Sequence, residues 1–174
     1  GCTGTDSILV IVRAAFTPAV TASGPTRLCA GDSVMLTAQA GYRNYEWRDT
    51  QDSLVGNTAS LVVKHAGAYT VTAADSSGCR GASLPVSIAV SPLPVPVIAG
   101  PRSICVNAQA QYAATASMGR KYLWEVQGGT LLAGQGTKIA TVRWGGAGSG
   151  TIRLTETVDS SGCTGSTLDS VAIG

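Results

Sequence analysis

The motif Gly-Cys-x-Gly occurs three times, as Gly1-Cys2-Thr3-Gly4, Gly78-Cys79-Arg80-Gly81 and Gly162-Cys163-Thr164-Gly165. The second and third copies follow an identical Asp-Ser-Ser, and an alternating, β-prone run comes after each copy. The copies lie roughly 80 residues apart, which is the length of a small β-domain and indicates an array of repeats. The pattern predicts residues 1–12 as the last strand of a preceding repeat, 13–91 as one complete domain and 92–174 as a second.

Runs of alternating apolar and polar residues recur through both repeats, with turn residues between them and no helical periodicity. They cover residues 34–38, 45–47, 61–63, 69–73, 86–90, 110–114, 122–126, 139–144, 151–156 and 168–173. Strands at such short intervals predict an all-β fold of tandem antiparallel β-sandwiches, because each sheet must bury its apolar face against another sheet. Pro92, Pro94 and Pro96 predict an extended, semi-rigid junction between the repeats.

The composition argues against several classes of partner. The net charge is only +2 and 13% of residues are charged, without a cluster of Lys and Arg, so no nucleic-acid partner is predicted. The longest apolar run, residues 8–12, is far shorter than the ~20 residues that a membrane-spanning helix needs. No membrane span is therefore predicted in this segment.

Four cysteines fall into two sequence contexts. Cys29 and Cys105 follow Gly-Pro-x-x-Leu or Gly-Pro-x-x-Ile, whereas Cys79 and Cys163 follow Asp-Ser-Ser-Gly. Alignment of the repeats predicts the pairs Cys29–Cys79 and Cys105–Cys163, one disulfide per domain, and hence an extracellular or cell-surface location. Free thiols or metal ligands are the alternative; zinc commonly needs four ligands, and the chain has no Cys-x-x-Cys and a single histidine.

Cys2 aligns with Cys79 and Cys163, but no partner for it follows from the alignment. A free thiol, an inter-domain or inter-chain bridge, and an effect of where the segment was cut all stay open. The partners expected for the chain are neighbouring repeats of the same polypeptide or identical subunits. In the second case the strand at 8–12 would complete a sandwich in a neighbour and build a fibre by strand addition.

Two motifs connect the chain to a known class of domain. Tyr45-x-Trp47 and Tyr122-x-Trp124 lie in equivalent strands of the two repeats. With the glycine and cysteine motifs, they resemble the Ig-like and PKD-like repeats of large secreted surface proteins of Bacteroidota-type bacteria. The resemblance implies an Ig-like sandwich followed by a PKD-like one, with core anchors Tyr45, Trp47, Tyr69, Tyr122 and Trp124. Gly67-x-Tyr69 also suits a tyrosine corner, in which the hydroxyl bonds to nearby backbone.

The resemblance implies a non-catalytic structural or adhesive module of an extracellular stalk or filament. An ancillary polysaccharide-binding module of a secreted enzyme is the alternative, and Tyr42 and Trp144 are the only candidate platform aromatics, with Trp144 expected to pack inward. No enzyme is predicted, because His65 lies in a turn without a nucleophile motif. Glu46 and Glu125 are expected on the sheet face opposite the Tyr and Trp side chains.

Two loop motifs have a structural and a functional interpretation. Residues 145–150 are rich in glycine but lack the Lys-Ser/Thr of a phosphate loop, so a hairpin turn is expected. Asp75 and Asp159 could supply oxygen ligands to Ca²⁺ or could cap the backbone of their own turns. No other cofactor is predicted.

Overall fold

The computed structural model describes residues 4–9, 15–115 and 119–174, which form strands and turns but no helix, and so no membrane-spanning helix. The all-β prediction is confirmed. The chain divides into two compact units. Unit 1 holds the described residues up to Thr26 together with Ser33–Ala89, and unit 2 holds Arg27–Asp32 and Val90–Gly174. The second unit thus includes Arg27–Asp32 as well as the C-terminal residues. The predicted domain bounds 13–91 and 92–174 stay a prediction.

Among the described residues up to Ser91 there are nine strands: β1 Val20–Ala22, β2 Arg27–Cys29, β3 Val34–Ala38, β4 Arg43–Arg48, β5 Leu54–Gly56, β6 Ser60–Val63, β7 Gly67–Ala74, β8 Arg80–Ala82 and β9 Val86–Ser91. One sheet has the order β1-β3-β6, and the other has the order β2-β9-β7-β4-β5 with β8 also paired to β7. Alternation in β3 buries Val34, Leu36 and Ala38, which form part of the core of unit 1.

Among the described residues after Ser91 there are eight strands: β10 Ile98–Ala99, β11 Ser103–Ile104, β12 Gln109–Ala114, β13 Arg120–Gln127, β14 Gly129–Ala133, β15 Ile139–Trp144, β16 Gly148–Val158 and β17 Thr164–Ile173. They make two four-stranded sheets, β10-β12-β15-β14 and β11-β17-β16-β13. Tyr112, Trp124, Val142 and Trp144 belong to one cluster of buried side chains in this unit. The longer predicted strands all lie within observed ones, whereas β1, β2, β5, β8, β10, β11 and β14 were not expected.

The two Tyr-x-Trp strands bury their tryptophans in the same way. Trp47 of β4 is fully buried and donates its indole N–H to the carbonyl oxygen of Thr58 over 2.8 Å. Trp124 of β13 is 2% exposed and donates to the carbonyl oxygen of Thr137 over 2.9 Å. Each indole thus fills its core while its one polar atom keeps a hydrogen bond, as burial of tryptophan requires.

Two local expectations need correction. Tyr45 is half-buried rather than a core residue like Trp47, since a β-bulge between Arg43 and Glu46 interrupts the alternation of β4. Residues 145–150 do not form a hairpin turn, because β15 and β16 belong to different sheets and the glycine-rich segment carries the chain from one sheet to the other. A side chain at Gly150 would collide with the Trp144 ring, which explains why this connection needs small residues.

The predicted strand at 8–12 lies partly outside the described residues. Gly4–Leu9 contains no strand, and the side chains of Ile8 and Leu9 are exposed. Cys2 also lies outside the described residues, so its pairing stays a prediction.

Candidate functional site

The second and third Gly-Cys-x-Gly motifs end two turns that we name the entry turns, residues 75–79 in unit 1 and 158–163 in unit 2. In unit 1, Asp75 accepts hydrogen bonds from the backbone N–H groups of Ser77 and Cys79 over 2.8 and 3.0 Å. In unit 2, the backbone N–H of Val158 bonds to the carbonyl oxygen of Cys163 over 2.9 Å. Asp75 therefore caps its own turn, one of the two roles expected for it.

The strand that follows each entry turn lies against an incoming segment of the same unit. A Cβ at Gly81 in β8 would collide with the backbone oxygen of Phe16, and a Cβ at Gly165 in β17 would collide with the backbone oxygen of Pro94. Phe16 lies ahead of β1, and Pro94 lies ahead of β10. The second glycine of the motif thus permits this close approach, and the motif cysteine two residues earlier marks the entry end of the unit.

The described residues contain one disulfide, between Cys29 and Cys163, whose Cα atoms are 5.6 Å apart. Cys163 is 1% exposed and Cys29 is half-buried, while Cys79 and Cys105 are free thiols, half-buried and exposed respectively. Neither bridge predicted from the repeat alignment is present. Alignment identifies equivalent cysteines, but proximity in the fold decides pairing; with Cys29 bonded to Cys163, neither Cys79 nor Cys105 can take its predicted partner.

The strand register explains why Cys105 does not reach Cys163. Cys163 immediately precedes the first residue of β17, whereas Ile104, next to Cys105, pairs in parallel with Ile173 at the other end of that strand. Ten strand residues span about 33 Å, while disulfide-bonded cysteines need Cα atoms within about 7 Å of each other. The two cysteines of the second repeat therefore lie at opposite ends of unit 2.

The tyrosine corner suggested by Gly67-x-Tyr69 is present in unit 1. The Tyr69 hydroxyl donates to the carbonyl oxygen of His65 over 3.0 Å, and the tyrosine ring is buried. Burial raises the pKa of Tyr69, and the negative charge of Asp49 adds to this effect. The His65 side chain is exposed, and the part of His65 that contributes to the tyrosine corner is its backbone carbonyl oxygen.

The two aromatic residues considered as carbohydrate platforms are both packed within the protein. Trp144 is 1% exposed and donates its indole N–H to the Tyr112 hydroxyl over 3.0 Å. Tyr42 is half-buried and stacks on Phe16, with ring centroids 4.7 Å apart. Neither ring forms a flat, solvent-facing platform of the kind that sugars stack on.

A buried ion pair in unit 2 is the polar feature that sequence inspection missed. Glu156 is 1% exposed, its Oε2 lies 2.5 Å from a guanidinium nitrogen of Arg120, and its Oε1 has no hydrogen-bond partner. Burial raises the pKa of nearby Tyr122, and the charges of Glu156 and Asp159 act in the same direction while Arg120 opposes them. The sequence did contain a signal for this burial. Glu156 lies two residues after Leu154 and four after Ile152 in the same strand, so all three side chains point to the same, inward face.

Two further glutamates belong to surface ion pairs. Glu125 is exposed, as expected, and lies 3.8 Å from Arg153 beside a shallow depression that Gln127, Thr151 and Leu168 also line. Half-buried Glu46 contacts Arg80 at 3.3 Å. Among residues 4–9, 15–115 and 119–174, no group of three His, Cys, Asp or Glu side chains could hold a metal ion. Calcium binding by Asp75 and Asp159 stays an untested prediction.

Residues 91–173 match the family model of the PKD-like domain. This match runs from the linker to the end of β17 and covers slightly less than half of the chain. Unit 1 has features typical of Ig-like sandwiches, namely two sheets, a buried tryptophan on β4 and a tyrosine corner in β7. The second half of the chain is thus similar to a PKD-like domain.

Several solved structures of low sequence identity resemble the chain. The fibronectin(III)-like modules of CbhA from Clostridium thermocellum align over 89% of this chain and 93% of theirs, with 19% identity and a TM-score of 0.47. The three N-terminal domains of the Highly Immunogenic Outer Capsid protein of bacteriophage RB49 align over 91% of this chain and 59% of theirs, with 20% identity and a TM-score of 0.45. Domains 3–5 of Drosophila OTK give 15% identity, 84% and 57% coverage and a TM-score of 0.44. No curated protein matches.

Proposed function

We propose that the chain is a non-catalytic structural module of an extracellular or cell-surface stalk or filament built from repeated β-sandwich domains. The observation that carries this proposal is the span of the disulfide, since Cys29 and Cys163 are separated by 134 residues. The bridge therefore closes a loop that contains most of both sequence repeats.

A bridge of this span changes how the chain carries tension. A force applied to the chain outside the bridged cysteines passes through the sulfur–sulfur bond and bypasses the residues between them. The strands between the two cysteines, β3 to β16, are then protected from extension by tension. Such protection is useful to a stalk that holds a load and has no role in catalysis or in the binding of a small ligand.

The same bond supports the proposed extracellular location. Disulfides persist in oxidising compartments and are rare in the reducing cytosol. Small β-sandwiches with few charged residues gain stability from such a bond, because it restricts the unfolded chain. Labelling of intact cells of the source organism with an antibody to this chain tests the location. Signal that appears only after lysis would contradict it.

Single-molecule stretching tests the load-bearing role. With handles at both ends of the oxidised chain, only the roughly forty residues outside the bridge should extend, for a gain in contour length of about 130 Å at ~3.4 Å per residue. In the Cys29→Ser variant the enclosed residues should extend as well, for a further gain of about 450 Å.

The double variant Cys79→Ser/Cys105→Ser is the matched control, because it removes two thiols but keeps the bridge. It should behave as the unmodified chain does. Full extension of the oxidised chain would show that the bond does not carry the load, and the stalk proposal would then lose its main support.

A further inference from the structure

The two free thiols have the same sequence contexts as the two bonded ones. Cys79 ends an entry turn, as Cys163 does, and its motif glycine lies against the incoming segment in the same manner. Cys105 directly follows the short strand β11 in the context Gly-Pro-x-x-Ile, and Cys29 is the last residue of the short strand β2 in the context Gly-Pro-x-x-Leu. Each free thiol is therefore the counterpart of a cysteine that the structure shows in a disulfide.

Cys29 and Cys105 each lie beside the end of the last strand of their repeat, which is β9 for Cys29 and β17 for Cys105. The N–H of Ala30, next to Cys29, bonds to the carbonyl oxygen of Ser91, the final residue of β9. The N–H of Gly174, which follows β17, bonds to the carbonyl oxygen of Ile104, next to Cys105. We call Cys29 and Cys105 the exit cysteines for this reason.

The observed bridge thus joins an exit cysteine of one repeat to the entry-turn cysteine of the next repeat in sequence. In unit 2, the segment Arg27–Asp32 is held at the entry turn by this bond. The entry turn of unit 1 has a thiol at the same motif position, and residues 102–105 form a segment of the same kind as residues 26–29.

We propose that Cys105 and Cys79 each form a disulfide of the same kind as Cys29–Cys163, in which an exit cysteine of one repeat bonds to the entry-turn cysteine of another. Cys105 bonds to the entry-turn cysteine of another repeat, and Cys79 bonds to the exit cysteine of another. Successive repeats would then be joined by a series of covalent bridges. This inference deepens the proposed stalk function and rests on it in taking the partner to be a repeat of the same kind.

Bond formation requires a two-electron oxidant, for which a small-molecule disulfide such as oxidised glutathione suffices. The Cys79 thiolate attacks that disulfide, forms a mixed disulfide and releases one glutathione thiolate. The Cys105 thiolate of the other repeat then attacks the Cys79 sulfur and releases the second glutathione thiolate. The two protons lost by the cysteine thiols are taken up by the two glutathione thiolates.

A pair of complementary variants tests the proposal, with a second copy of this chain as the probe and Cys2→Ser in every protein. The first variant adds Cys79→Ser and keeps Cys105, and the second adds Cys105→Ser and keeps Cys79. An equimolar mixture in a glutathione redox buffer should form the mixed Cys105–Cys79 dimer about tenfold above its statistical ratio to the two symmetric dimers. Non-reducing peptide mapping identifies the linked cysteines.

Three measurements decide the outcome. The same mixture in urea should lose the preference, because the proposal depends on folded entry turns and exit strands. The triple variant Cys2→Ser/Cys79→Ser/Cys105→Ser should stay monomeric with Cys29–Cys163 intact. A statistical mixture of dimers from the folded variants, or only glutathione adducts on each thiol, would overturn the proposal.

The source of the complementary repeat is settled on protein isolated from the native organism. Reduction leaves its mass almost unchanged when the bridged repeats belong to one polypeptide and divides it when they belong to separate chains. If Cys79 and Cys105 form no exit-to-entry bridges, the load-bearing role of Cys29–Cys163 is unaffected, since the stretching experiment measures the Cys29–Cys163 bond and its control lacks both of the other thiols. The two proposals therefore fail separately.

Discussion

The two units differ in which sheet receives the strand that follows the Tyr-x-Trp strand. In unit 1, β5 returns as a hairpin neighbour of β4 and stays in the same sheet. In unit 2, β14 leaves β13 and pairs with β15 in the other sheet. The tryptophan strands themselves are alike, so the difference arises in the few residues that follow them.

The two connections explain the choice of sheet. After β4, Asp49 accepts hydrogen bonds from the N–H groups of Gln51 and Ser53, both over 2.9 Å, and this tight turn sends the chain back along β4. After β13, Gly128 adopts a positive φ of 76° and Gly129 begins β14 immediately. A local turn therefore decides the sheet of the next strand, while the core anchor stays the same.

The largest effect is expected from removing the shared anchors. Trp47→Ala and Trp124→Ala should each lower the free energy of unfolding of their own unit by about 3–5 kcal/mol, because a fully buried indole leaves a large cavity. Hydrogen exchange followed by mass spectrometry checks which unit is affected. The Trp→Phe variants serve as controls with smaller cavities. If only one of the two Trp→Ala variants lost stability, Trp47 and Trp124 would not be equivalent core anchors.

The next largest loss of stability is expected from breaking an ion pair, and its size should differ between the two units. Arg120→Met should destabilise unit 2 by about 3 kcal/mol, because the Glu156 carboxylate is then buried without a counter-charge. Arg80→Met in unit 1 should cost less than about 1 kcal/mol, since Arg80 and Glu46 are partly exposed to water. Denaturant unfolding measures both.

A double variant tests the cause of the Arg120 effect. Arg120→Met/Glu156→Leu removes both charges from unit 2 and should recover most of the stability that Arg120→Met loses. If the double variant were less stable than the single one, the loss would come from packing of the arginine stem and not from the unpaired carboxylate.

A smaller loss of stability is expected when alanine replaces a glycine in β5 or β14, the strands that follow the two tryptophan strands. A Cβ at Gly129 of β14 would lie 2.8 Å from the backbone oxygen of Arg143, which cannot move freely. A Cβ at Gly56 of β5 would lie 2.9 Å from the end of the Leu61 side chain, which can rotate away. Gly129→Ala should therefore cost about 2 kcal/mol, and Gly56→Ala less than about 1 kcal/mol. Equal losses in thermal unfolding would show that β14 tolerates a side chain as well as β5.

The last comparison of stability concerns single tyrosine hydroxyls. Tyr69→Phe should cost about 1 kcal/mol for the bond to His65, while Tyr112→Phe should cost about 1–3 kcal/mol because it also leaves the Trp144 indole N–H without its acceptor. Urea unfolding at neutral pH measures the two losses. A larger loss for Tyr69→Phe would contradict the assigned hydrogen bonds.

These tyrosines also predict the response to alkali. Burial raises the pKa of Tyr69, Tyr112 and Tyr122 above the unfolded value, although the bond from Trp144 partly opposes this at Tyr112. The protonated forms are thus favoured in the folded state, so this stability is fully present below pH ~10 and is lost as the pH rises through the folded pKa values. Spectrophotometric titration and unfolding above pH 10 measure this. The Tyr69→Phe variant should lose less stability there than the unmodified chain.

Much of the fold was predictable from residue alternation. The runs around Leu36, Trp47, Trp124 and Trp144 lie in strands because period-two burial of large apolar residues is a local signal. Short strands such as β2 and β11 gave no such signal, since two or three residues show no period. The half-burial of Tyr45 was also hidden, because the bulge that causes it depends on pairing with β7.

The sequence by itself determined the repeat length, the all-β class, the burial of both tryptophans and the tyrosine corner, since each depends on residues near one another in the chain. The tertiary structure alone decided which cysteines bond, which sheet receives the strand after Trp47 or Trp124, and that Glu156 faces Arg120 inside the core. Repeats identify equivalent residues, but strand direction and register decide distance. Cys105 and Cys163 share one repeat and are kept apart by the length of β17, whereas Cys29 and Cys163 are 134 residues apart in sequence and share a bond.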